Sequence, residues 1–316
     1  MYYPYFRGKQ FELIAIRESA ALIADSIFVP IIEPVREPLG SLDKTLKSLT
    51  DVNAHAVVVV NPRYGDHRGS FESICELLEQ DYQESEGVGA GILLTSEINL
   101  DQAAALTTRF SKRGTTLIHA GFTDPRGLSD HLGEAAQKFR NVFLADHANR
   151  LYRKHFTGSP RILLGDGFVQ MKNADYPLIE TFSDLHITFP DEGMHGYGDF
   201  LTVGNNYSEG GGPAYAVAIH LTYIDPDQDD AMFIYHFKSD TNDTPTDPAG
   251  KFAQALRKMI EKLESGDSKL LETSAIEEFR ELHNRSHFPG LGYVKKLSIK
   301  HHLETLADYH NSNRNA

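Results

Sequence analysis

The chain has 316 residues, of which 41% are hydrophobic and 24% charged, and its formal net charge is −13. That length suits one large barrel or two modest domains, and the acidic balance makes nucleic acid an unlikely partner for a surface that binds through bulk charge. The single cysteine, Cys75, excludes an intramolecular disulfide and a cysteine-based zinc site, and its helical spacing with Phe71, Ile74 and Leu78 marks it as a core residue.

The opening MYYPYFRGKQFELIAIRE has neither the long apolar core nor the cleavage site of a signal peptide. No apolar run approaches the roughly 18–20 residues that span a bilayer. A cytoplasmic protein without a membrane segment is expected. GKQFELIAIRESAALIADS predicts a helix ahead of a first strand.

Six apolar runs follow, FVPIIEPV (28–35), AVVVVNP (56–62), GAGILLTSE (89–97), TTLIHAG (115–121), NVFLADH (141–147) and RILLGDG (161–167). Continuous rather than alternating, they suit strands buried on both faces of a parallel sheet. Amphipathic stretches such as FESICELLEQDY and NLDQAAALTTRF separate them. DFLTVG (199–204) and AMFIYHF (231–237) bring the strand count to eight, enough for an irregular (β/α)8 TIM-like barrel. No GxGxxG or Walker sequence favours an open doubly wound sheet.

The last two runs are separated by a Gly-rich loop, an alternating stretch and the turn at 225–230. Residues 215–224 and 231–237 therefore predict an antiparallel hairpin inserted before the last strand. DPAGKFAQALRKMIEKLE starts a helix with Asp-Pro chemistry. The expected organisation is a barrel over 1–265 and a C-terminal helical extension over 266–316 packed on it.

Side chains two apart on a strand share a face, and barrel sites lie at the carboxyl ends. In that phase the runs change from apolar to polar: Ile31 then Glu33, Val59 then Asn61 and Arg63, Thr95 then Glu97. Leu117 leads to His119, Leu144 to Asp146, Leu164 to Asp166, and Ile234 to His236 and Lys238. Glu33, Glu97, His119, Asp146, Asp166 and His236 are the candidate catalytic residues. Asn61, Arg63, Arg150, Lys238 and Asp240 are the candidate ligand-binding set.

Four carboxylates with a histidine admit a divalent metal as cofactor or a general acid–base pair. The cations suit a phosphate or carboxylate. No motif spacing specifies a metal, and carboxylate–Arg pairs closing a wet barrel mouth are the structural alternative.

In DHANRLYRKH (146–155), His147, Arg150 and Arg153 lie near one helix face, a pocket rim or a solvated surface. SEGGGPAY (208–215) reads as a mobile flap before an anion loop. Asp199 reads as turn chemistry and His220 as a packed or cross-strand histidine. Residues 239–243 allow an Asx turn, and Asp247 a helix cap.

PYFRGKQFELIAIRE, IIEPV, GDFLTVG and the pair AVAIHLTYI…MFIYHFKSD together resemble the bacterial Beta-protein family, named after a phage beta protein. The resemblance extends to about Glu264. It implies a barrel-like β/α fold and, by association, a role linked to phage defence; it supplies no catalytic residues. The expectation is a metal-assisted hydrolase or phosphodiesterase acting on an anionic ligand. The competing expectation is a non-catalytic binding or sensor subunit, partnered by a protein or a second copy, with KKLSIKHH (295–302) as docking element.

Overall fold

The computed structural model describes residues 1–210 and 215–314. Eleven strands occur among them: β1 (Tyr5–Phe6), β2 (Ile31–Ile32), β3 (Ala56–Val59), β4 (Val88–Thr95), β5 (Thr116–Ala120), β6 (Arg140–Leu144), β7 (Arg161–Leu164), β8 (Ile179–Ser183), β9 (Gly196–Gly198), β10 (Ala218–Asp225) and β11 (Ala231–Lys238). The helices that follow β1 to β4 are α1 (Gln10–Glu18), α2 (Ala20–Ser26), α3 (Gly40–Thr50), α4 (Glu72–Asp81) and α5 (Leu100–Arg109). Further on lie α6 (Pro125–Leu132), α7 (Arg150–Arg153), α8 (Leu185–Thr188), α9 (Pro248–Glu264), α10 (Ser274–Asn284) and α11 (Leu291–Arg314).

Two compact units divide the chain. One holds Met1–Asp166 and Thr188–Asp199; the other holds Gly167–Ile187 and the chain from Phe200 onward. In the first, eight parallel strands run in the order β1-β2-β3-β4-β5-β6-β7-β9. A parallel bridge between Tyr2 and Tyr197 joins the two edges and nearly closes the barrel. Tyr3 N–H donates to the Tyr197 carbonyl at 2.8 Å and Tyr5 N–H to that of Asp199 at 2.9 Å. Gly198 makes this seam possible: a Cβ there would lie 2.1 Å from the Tyr3 carbonyl oxygen.

The barrel strands are apolar on both faces because one face fills the interior and the other packs on helices. Val57, Val58, Val59, Ile92, Leu94, Ile118 and Phe143 are all buried. Cys75 of α4 is buried in the helix layer, and burial pushes its thiol up to about 11, as a core residue requires. At the start of α5, Asn99 accepts from Gln102 N–H while the Gln102 side chain accepts from Asn99 N–H, both at 2.9 Å, a reciprocal cap.

The second unit is built on the antiparallel sheet β10-β11-β8. Ile219, Leu221, Tyr223, Tyr235 and Phe237 form its apolar face, packed on Phe252 and Met259 of α9, Phe279 of α10 and Leu297 of α11. The expected hairpin forms with Ala218 opposite Lys238 and Asp225 opposite Ala231. Its turn is gripped by Lys269, 2.5 Å from Asp225 and 2.6 Å from Asp227.

The barrel and the hairpin are thus as anticipated, but the eight barrel strands are not the eight runs read from the sequence. The first strand is at Tyr5–Phe6, ahead of α1. DFLTVG is not a strand: β9 ends at Gly198, and Leu201, at φ 53°, opens a 3-10 turn over Leu201–Val203. AMFIYHF is β11 of the antiparallel sheet, so the hairpin follows the last barrel strand instead of preceding it. Residues 200–265 accordingly group with the C-terminal helices.

Those helices are not a peripheral attachment. Within KKLSIKHH, Lys296, Leu297, Ser298, Ile299, His301 and His302 are all buried, which removes the segment as a docking element. Residues 211–214, the centre of the anticipated glycine flap, lie outside the described residues.

Candidate functional site

Strand register decides which anticipated residues meet at the barrel mouth. Tyr5 pairs with Ile31, Ile31 with Val57, Gly91 with Thr116 and Leu93 with Ile118. Directly paired residues share a face, so Glu33, Asn61, Thr95, Asp146 and Asp166 continue the inward series. His119 pairs with Leu94 and Phe143 and lies one residue out of that phase.

Glu33 is fully buried just beyond β2. It accepts from the Tyr5 hydroxyl at 2.8 Å, from Arg63 N–H at 2.7 Å and from the Arg7 guanidinium. Arg7 is also buried, with its guanidinium carbon 5.0 Å from the Tyr5 ring centre and 5.1 Å from that of Tyr64. Burial and the Glu33 carboxylate hold the Tyr5 hydroxyl well above its usual range. A carboxylate with three committed donors is an anchor for the loops above β1, β2 and β3 and has little capacity left for a metal or a water.

The loop after β3 is clamped onto the β2 exit. Gly65, at φ 76°, approaches so closely that a Cβ would lie 2.1 Å from the Val35 carbonyl oxygen. Asp66 accepts from Glu37 N–H at 3.0 Å, and buried His67 bonds the Arg36 carbonyl at 3.0 Å. This rigid turn presents Arg63 and Arg68 to a cleft of about 550 Å3 beside the exits of β3 and β4. Phe71, Leu93, Ile98 and Leu106 supply its apolar wall.

Most polar groups in the cleft are already spent. Asn61 clasps the Leu93 backbone, accepting at 2.8 Å and donating at 2.9 Å, and so acts as a strand cross-link. Gln102 belongs to the α5 cap. Arg109 is held by Glu72 at 2.6 Å and Glu79 at 2.7 Å. Exposed Glu97 meets exposed Arg68 at 3.5 Å. Among the described residues half-buried Arg63 has no carboxylate partner for its guanidinium, whose carbon lies 5.5 Å from the Tyr64 ring centre.

His119 leaves the candidate set. Fully buried against the helix layer, it bonds Tyr152 Oη at 2.8 Å and Asn141 Oδ1 at 2.9 Å and stacks on Phe143 at 4.6 Å. Burial lowers it to about 4, so it is a neutral packing residue. Asp146 and Asp166 are exposed at the exits of β6 and β7. Arg150 pairs with Glu192 at 2.8 Å, as does Arg153. Among the described residues no group of three or more His, Cys, Asp or Glu is placed to hold a metal ion.

His236, Lys238 and Asp240 belong to the second unit, not to a barrel ring, because β11 lies in the antiparallel sheet. Asp240 is tied to α9, 2.6 Å from Lys258 and 3.3 Å from Arg257, and Lys258 holds its carboxyl below the usual range. Lys238 donates to the carbonyls of Ala174, at 2.9 Å, and Tyr176. His236 bonds two side chains, Glu180 at 2.8 Å and His220 at 2.6 Å. Glu180 was legible only as an acidic position in the short alternation LIETF, and His220 as a cross-strand residue, which it is.

No family model and no curated protein sequence matches this chain. Among solved structures it is similar to a mutant O-GlcNAc hydrolase from Thermobaculum terrenum, with a TM-score of 0.42 and 12% identity. The match covers 64% of this chain and 54% of that one, so the chain spans about half the length of the protein it matches.

Proposed function

We propose that the barrel binds a small anionic molecule in the cleft at the exits of β3 and β4, with Arg63 as its principal contact and Arg68 at the rim. The carrying observation is that Arg63, alone among the arginines lining this cleft, has no ion-pair partner in the described residues. A guanidinium offers paired N–H donors that fit carboxylate or phosphate oxygens. A cleft of about 550 Å3 has the volume of a small-molecule site, and its apolar wall would desolvate the contact.

Binding is better supported than metal-assisted hydrolysis at this end of the barrel. Glu33 is saturated by donors, His119 faces the helices, and His236 sits on another sheet.

The test is a thermal-shift screen of phosphorylated and carboxylated metabolites at low ionic strength, followed by calorimetry on any binder. A ligand at a hundredfold excess over its Kd should stabilise the protein by about 2.7 kcal/mol. Arg63→Gln should weaken binding roughly 10–100-fold, about 1.4–2.8 kcal/mol. A screen without binders, or unchanged affinity in that variant, would sink the reading.

A further inference from the structure

The charges lining the cleft at the exits of β3 and β4 are Arg63, Arg68 and Arg109 against Glu72 and Glu97. Arg109, in the last turn of α5, lies between two carboxylates, Glu72 at 2.6 Å and Glu79 at 2.7 Å. Arg68 faces Glu97 at 3.5 Å. Only the Arg63 guanidinium is left uncommitted to a carboxylate among the described residues. One cation is therefore available to a ligand, while the group around Arg109 carries a carboxylate in excess. An anion of single charge matches that balance. A phosphate monoester carries about 1.5–2 negative charges near pH 7, and its second charge would meet arginines already neutralised and a surplus carboxylate.

Thr95 on β4 adds a neutral donor to the same lining. It is buried, its hydroxyl oxygen accepts from Glu97 N–H at 3.2 Å, and its own proton has no acceptor among the described residues. A guanidinium fork and a hydroxyl proton together suit the two oxygens of a carboxylate.

Few groups remain to read a hydroxylated body. Both the oxygen and the nitrogen of the Asn61 amide are engaged by the Leu93 backbone, and the Gln102 side-chain oxygen is held in the α5 cap. Pro62, also in the lining, has no N–H to donate. Phe71, Leu93, Ile98, Ala105 and Leu106 make the rest of the wall, and about 550 Å3 leaves room for much more than a charged head. Against such a wall an unpaired hydroxyl is costly to bury, whereas each methylene is favourable.

Given an anion at Arg63, as proposed above, we infer that the cleft selects monocarboxylates with an apolar body. Aliphatic and aryl carboxylic acids are preferred over phosphate esters and over polyhydroxylated acids. Arg63 and Thr95 hold the carboxylate, and the body lies along the wall that Phe71, Ile98 and Leu106 provide.

Calorimetry on the full chain, at neutral pH and low ionic strength, tests this with butyrate, hexanoate, octanoate, phenylpropionate, octyl phosphate and gluconate. Affinity should rise roughly threefold per added methylene, making octanoate about a hundredfold tighter than butyrate. Octyl phosphate and gluconate should each bind about tenfold or more weakly than octanoate. Arg63→Gln should weaken every carboxylate, and Ile98→Ser should weaken octanoate more than butyrate. The wild-type series decides by itself, so a variant that fails to fold leaves the test intact. Octyl phosphate or gluconate as the better ligand, or affinity independent of chain length, would overturn the monocarboxylate assignment while anion binding at Arg63 stands. Carboxylates that fail to bind beside a phosphorylated binder from the wider screen would do the same. No binder in either set would overturn both readings.

Discussion

Glu33 and Glu97 show how differently two carboxylates at strand exits behave. The Arg7–Glu33 pair is buried, with side-chain exposures of 9% and 0%, whereas Arg68 and Glu97 are 66% and 57% exposed. Removing one partner of a buried pair strands the other charge and costs about 3–5 kcal/mol, while an exposed pair is worth about 0–1 kcal/mol. Arg7→Ala should therefore lower the unfolding free energy by several kcal/mol in urea titrations, with Glu97→Gln nearly silent. Equal effects would mean that Glu33 is solvated. Glu33 was legible as a mouth residue because a strand pattern ends at it; its partner was not, since Arg7 follows a two-residue strand hidden among tyrosines. His119 was misplaced for a different reason. TTLIHAG is apolar in both phases, so only long-range register, Leu94 against His119, shows that the ring faces the helices.

Elements were legible in proportion to their length and to the locality of their signals. The Val-rich run of β3 and the Leu-Ile runs of β4 to β7 announce buried parallel strands, whereas β1 and β9, of two and three residues, have no periodicity to detect. The Asn99 cap on α5 is local, and Asn99→Ala should cost about 1 kcal/mol, measurable as a lower urea midpoint with an unchanged slope. In α11, polar letters misled: His301 is buried between the Thr222 carbonyl and the Thr273 hydroxyl, both at 2.8 Å, and His302 bonds the Thr222 hydroxyl at 2.9 Å. Truncation before Leu291 should abolish the cooperative unfolding of the second unit, followed by NMR. A truncated chain with native dispersion for β10 and β11 would contradict the packing.

Across the molecule, His119, His220, His236 and His301 are held neutral, chiefly by burial, at a cost that acid reveals. His119, His236 and His301 are each lowered to about 4, chiefly by burial, against about 6.5 when unfolded. Between those values the unfolded chain binds the extra protons, so stability is intact above pH 6.5 and falls as pH drops toward 4. Each ring adds a slope approaching about 1.4 kcal/mol per pH unit. Urea midpoints at pH 7.5, 6 and 5 should decline steeply over the lower interval, and less steeply in His119→Gln. A flat series would show that these rings are protonated in the folded state.

The seam between Tyr2 and Asp199, 197 positions apart and bonded at 2.6 Å, also sets a timetable. During synthesis at about 5–20 residues per second, β1 waits roughly 10–40 s for β9 to leave the ribosome. Until β9 arrives, the strands already made form an open sheet whose two edges, β1 and the newest strand, offer unpaired backbone to any other nascent chain. Slowing translation between the codons for β7 and β9 should lengthen that exposure and raise the aggregated fraction, as pulse-labelled sedimentation would record.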